Sequence, residues 1–88
     1  MRLKSGLELR EVGGQTLLVS MELEPGDPGF MVVFNGSGAY LCRLLAQGTD
    51  VPQMEAALAD HYDVSQDTAR ESVAAFVEKM REANLLAD

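Results

Sequence analysis

The 88-residue chain has no tryptophan, one cysteine (Cys42), one histidine (His61) and seven lysines and arginines against fourteen aspartates and glutamates. Each shortage excludes something. A single cysteine can form neither an internal disulfide nor a cysteine-based metal cluster, and it is expected to stay reduced. One histidine among scattered carboxylates is a poor transition-metal site. A formal charge of −7 has the wrong sign for a surface that tracks phosphates, which disfavours nucleic acid. No stretch approaches the ~18 apolar residues of a membrane span. Arg2 and Lys4 are followed by no long apolar core of the kind a signal peptide needs. The expected location is cytoplasmic.

What is present is an ordinary folding composition, 47% hydrophobic and 24% charged. A chain of this length is expected to form a single domain over residues 1–88, burying roughly 60% of its unfolded surface. It is too small for a deep cleft between lobes, so a multi-step enzyme is not expected. Met1 at the start and Asp88 at the end lead to the expectation of a free-standing chain. It contains no internal repeat or low-complexity segment.

Residues before about position 35 carry strand signals and those after it helix signals. Leu7 and Leu9 alternate with Glu8 and Arg10 up to Gly13-Gly14, a turn signal that makes the next strand, Thr16–Met21, its antiparallel partner. Glu24-Pro25-Gly26-Asp27-Pro28-Gly29 predicts a surface loop. Phe30-Met31-Val32-Val33-Phe34 predicts a third, strongly apolar strand that ends at Asn35-Gly36-Ser37-Gly38. Helices are then expected over Ser37–Gln47, over Val51–Tyr62 and over Gln66–Asn84. Asp50 caps the second, with Gln53 completing a capping-box pattern, and Ser65 caps the third. The fold class is therefore α+β: a three-stranded antiparallel sheet followed by three helices.

That order, with "FNGSGAYLCRLL" at the join, "DVPQMEAALADHYDVS" next and "FVEKMREANLL" at the end, resembles the PqqD family over nearly the whole chain. Tyr62-Asp63-Val64 stands where family members have a "tyD-v" turn. Asn84-Leu85-Leu86 stands at the terminal "L--g-L" phrase, with Asn84 in place of the usual glycine. Cys42 replaces an aromatic that many members carry in the first helix. The resemblance implies a winged-helix-like recognition element for ribosomally synthesised, modified peptides (RiPPs). Such a domain binds the leader segment of a precursor peptide by strand addition and presents it to a modifying enzyme, often a radical S-adenosylmethionine (SAM) enzyme. It implies neither catalysis nor a bound cofactor or metal.

By the same resemblance the leader pairs with the third strand, against the last helix. The expected site is Phe30, Met31, Val32, Val33 and Phe34, together with a ridge beside the helix's buried stripe: Arg70, Val73, Ala74, Val77 and Arg81. Taken without the resemblance, an apolar strand and an aliphatic helical stripe are more often plain core.

Three other readings compete. His61 between Asp60 and Tyr62-Asp63 has the outline of a base with an orienting carboxylate, but no activated nucleophile accompanies it, and a plain helix-end histidine is expected. "LADHYDVSQDTARESV" has the outline of a helix-turn-helix junction, and a winged-helix DNA-binding regulator is the main rival. Its recognition helix would carry Arg70, Lys79 and Arg81 against Asp67, Glu71, Glu78 and Glu82, a poor balance for DNA. A homodimer formed by edge-to-edge pairing of the third strand is the remaining alternative.

Overall fold

The structure is a computed structural model that describes residues 1–20, 31–34 and 36–87. Strands β1 (Leu7–Val12), β2 (Gln15–Ser20) and β3 (Met31–Phe34) precede helices α1 (Gly36–Gln47), α2 (Val51–Tyr62) and α3 (Gln66–Glu82). The sheet is antiparallel in the order β1-β2-β3, as the turn signals predict. Gly13 and Gly14 make the two-residue connection at φ 58° and 82°, a left-handed pair that glycine adopts without strain and that matches the strand twist. Phe30, Met21 and the Glu24–Gly29 loop lie outside the described residues.

Leu18 on β2 and Phe34 on β3 enter a core shared with Leu41 and Leu45 of α1, Met54 and Leu58 of α2, and Ala69, Val73, Phe76, Val77 and Met80 of α3. The sheet thus rests one face on the helices. Arg43 ties α1 to the β1–β2 hairpin, donating from Nε to Glu11 Oε1 at 2.7 Å and from Nη2 to the buried Thr16 hydroxyl at 3.3 Å.

The helix ends explain two phrases of the sequence. Asp50 Oδ1 accepts from the Gln53 amide at 2.8 Å, the expected cap. The Gln53 side chain does not turn back to Asp50, however: its Oε1 accepts from the Thr49 hydroxyl at 3.1 Å, so the second half of the expected capping box is absent. Ser65 Oγ caps α3 by accepting from the Thr68 amide at 3.1 Å. At the other end, α3 stops two residues earlier than the periodicity predicts. Asn84 turns left-handed at φ 59°, its amide donates to Arg81 O, and the Leu85 amide donates to Met80 O, both at 3.0 Å. This is a Schellman stop, sealed by the buried pair Met80 and Leu85. Asp63, at φ 54°, ends α2 in the same conformation.

The periodicity gives no sign of residues 1–4 as an element, yet they are fixed. Leu3 bridges Leu86 antiparallel, the Lys4 amide donates to Leu85 O, and the Ala87 amide donates to Arg2 O. The two ends of the described chain are clasped against the core.

Candidate functional site

β3 pairs with β2 on one side, and among the described residues no strand lies on its other side. Among the described residues nothing pairs with its backbone donors and acceptors on that side, which leaves the ladder open to a further strand. Alternation along the strand buries Phe34 and half-buries Val32, and it leaves Met31 59% and Val33 48% exposed. Apolar side chains that solvated on an edge strand are the feature soluble proteins usually blunt with charge or proline. Here neither is present between Met31 and Phe34.

A cleft of about 240 Å³ runs between this edge and α3, lined by Val33, Phe34, Gly38, Ala75, Phe76 and Lys79. The rings of Phe34 and Phe76 meet at 6.2 Å between centroids, tilted by 57°, and form its apolar base. Gly38 keeps one wall low: a Cβ there would stand 3.6 Å from the Phe34 ring, and any longer side chain would enter the cleft. Ala75 is exposed, and Lys79 supplies a positive charge. The arrangement can take an extended segment on the strand edge, apolar side chains over the two rings and a carboxylate near Lys79.

The expected strand residues and the expected helix residues are not brought together in the same way. Met31, Val32, Val33 and Phe34 make the edge, while Phe30 is outside the described residues. On α3, Val73 and Val77 are buried in the core, Arg70 lies in a separate cleft with Pro52, Glu55, Ala56 and Gln66, and Ala74 and Arg81 are exposed but do not line the β3 cleft. Arg70 also pairs with Asp67 at 3.4 Å. A buried stripe on a helix has two flanks, and only the packing of neighbouring elements decides which one meets a given strand. The flank that meets β3 carries Ala75, Phe76 and Lys79, on the opposite side of the stripe from Arg70, Ala74 and Arg81.

Three further observations concern chemistry. His61 stacks on Tyr40 at 4.3 Å and 13° and meets Tyr62 edge-on at 4.7 Å, so it belongs to an aromatic trio that sequence reading missed because Tyr40 is on a different helix. Burial pushes the Cys42 thiol up to about 11, with the neighbouring Arg43 pulling weakly the other way. Among the described residues no group of three or more histidine, cysteine, aspartate or glutamate side chains could hold a metal ion.

An α+β domain of winged-helix type, with an open β-edge facing a helix across an apolar cleft, is the class these features define. The chain belongs to the PqqD family: the family model described as coenzyme PQQ synthesis protein D matches residues 15–86. A solved structure of TbiB1 in complex with the TbiA(β) leader peptide is similar in fold, with a TM-score of 0.82 at 16% identity, covering 99% of this chain and 95% of that one. No curated protein matches the chain.

Proposed function

We propose that this protein is a RiPP recognition element that binds the leader segment of a precursor peptide by adding it as a strand to β3. The observation that carries the reading is the open, apolar β3 edge set against Ala75, Phe76 and Lys79 of α3, in a chain that belongs to the PqqD family. The similar fold of TbiB1, solved with a leader peptide, supports it. Backbone hydrogen bonds supply affinity to a flexible peptide, and side-chain pockets supply selectivity.

The domain acts without catalysis of its own, presenting the peptide to a modifying enzyme in the cytoplasm, with a radical SAM enzyme the expected class. No helix among the described residues is long and apolar enough to cross a membrane. Titrating the ¹⁵N-labelled protein with a leader peptide tests the site. The expected result is amide shifts concentrated on Met31–Phe34 and on Ala75, Phe76 and Lys79. Shifts confined to α2 or to the Arg70 cleft would place the site elsewhere.

A further inference from the structure

We propose that the peptide groove continues past the end of β3 into a second subsite, formed by Ser37, Leu58, Tyr62, Val64, Thr68 and Ser72, which takes one large neutral apolar side chain of the bound peptide. The inference rests on the strand-addition reading above and adds a selectivity element to it. A cleft of about 280 Å³ is lined by those six residues. It adjoins the β3 cleft in two ways. Ser37 lines the one and its neighbour Gly38 the other. On α3, Thr68, Ser72, Ala75, Phe76 and Lys79 follow one another at i, i+4, i+7, i+8 and i+11, a single flank of the helix that serves both clefts in turn.

The lining defines the ligand. Leu58 is buried at the base, Val64 is half-buried, and Tyr62 is 41% exposed. The Tyr62 ring is held edge-on by Tyr40 at 5.8 Å and 90° and by His61 at 4.7 Å and 77°, so the wall it makes is set before anything binds. Hydroxyls of Ser37, Thr68 and Ser72 complete the lining, and Thr68 Oγ1 is already engaged as acceptor of the Ser65 hydroxyl at 3.0 Å. Among the described residues no charged side chain lines this cleft, in contrast to the Lys79 end of the groove. A neutral aromatic or branched aliphatic side chain fits that surface; a charged one would lose its hydration without a partner.

Spacing fixes the position of that side chain in the peptide. The α3 residues of the two clefts are centred six to seven positions apart, about 10 Å at the helical rise, which an extended chain covers in about three residues. Antiparallel pairing, the more stable kind per residue, runs the peptide against β3. Its residues N-terminal to the paired segment then pass the Phe34 end and reach the second cleft.

Two arms test the proposal on the full chain. In the first, 3-methylindole and 4-ethylphenol serve as side-chain probes, followed by amide shifts, with acetate and methylammonium as charged comparators. The neutral probes are expected to shift Leu58, Tyr62, Val64, Thr68 and Ser72 saturably, several-fold more weakly in Tyr62→Ala, while the charged probes leave them unmoved. Saturable shifts at the β3 cleft as well leave the subsite standing; saturable shifts only outside these five residues, or none, would overturn it. In the second arm, peptides are selected on the immobilised protein from a random 16-residue display library. The selected peptides should carry Trp, Tyr, Phe or Leu about three residues N-terminal to the strand-forming stretch. Replacing that residue by Ala should weaken binding at least tenfold to the parent protein and less than twofold to Ser72→Phe, which fills the cleft. Thr68→Trp, at an exposed position, replaces Ser72→Phe if the latter misfolds. Peptides that depend on the β3 edge but show no such preference would overturn the subsite and leave strand addition standing. Peptides that bind Val33→Pro as tightly as the parent would overturn strand addition, and the continuation of the groove with it.

Discussion

Asp63 and Asn84 hold left-handed backbone at φ 54° and 59°, a conformation that costs most L-residues about 1 kcal/mol and that asparagine, aspartate and glycine tolerate best. Each ends a helix and redirects the chain, so the residue types at these two positions follow from backbone geometry alone. Asn84→Ala is expected to lower stability by about 1 kcal/mol, some 4–8 °C in melting temperature for a domain this small, whereas Asn84→Gly should be neutral or better. Thermal denaturation of the two variants decides it, and equal losses would mean that the Asn84 side chain, not its conformation, matters. Cys42 is wholly buried, and its thiol is pushed up to about 11 by that burial. The folded protein should therefore resist iodoacetamide at pH 8 while the denatured chain is alkylated readily. Because the folded state holds the thiol proton more tightly than the unfolded state, this group's contribution to stability is complete below pH 9 and declines towards pH 11.

At the scale of elements, the site depends on which flank of α3 faces the open strand. Ala75 and Ala74 are both exposed, adjacent and equally tolerant of a larger side chain, but only Ala75 lines the β3 cleft. Ala75→Glu should weaken peptide binding about tenfold or more by placing a carboxylate over the Phe34 and Phe76 rings, and Ala74→Glu should change it less than twofold. Isothermal titration of the pair measures the difference, and the reverse ranking would return the groove to the Arg70 and Arg81 side. The strands, the three helices and the caps Asp50 and Ser65 were legible in the sequence because each is written in local signals: a Gly-Gly turn, alternating leucines, an acidic or hydroxyl cap three residues before its amide partner. The apolar third strand was legible too, in the run Phe30–Phe34, of which Met31–Phe34 forms β3. The α3 flank was not, because a helical wheel shows the buried stripe and is silent on its handedness relative to the sheet. The Tyr40–His61–Tyr62 trio was hidden for a related reason, since residues on α1 and α2 meet only after the helices pack.

Across the whole molecule, the clasp of residues 1–4 against Leu85–Ala87 lies beside β1, the sheet edge opposite β3. It joins segments that the sequence separates by about eighty positions through the Leu3–Leu86 bridge and the Lys4 and Ala87 amides. Removing Met1–Lys4 should cost about 2 kcal/mol, from the lost burial of Leu3 and the lost cover of Leu85 and Leu86, and should leave peptide affinity within twofold. Urea denaturation alongside a binding isotherm separates the two effects; a large loss of affinity in a chain that remains folded would mean that the clasp shapes the groove. The central claim, that a peptide becomes a fourth strand, is tested most directly by intermolecular nuclear Overhauser effects in a one-to-one complex of the labelled protein with a leader peptide. Strand addition predicts contacts from peptide α-protons and amides to the backbone of Met31–Phe34 at the short, regular spacing of an antiparallel ladder. Contacts running only to helix side chains, with the β3 amides unchanged, would contradict it.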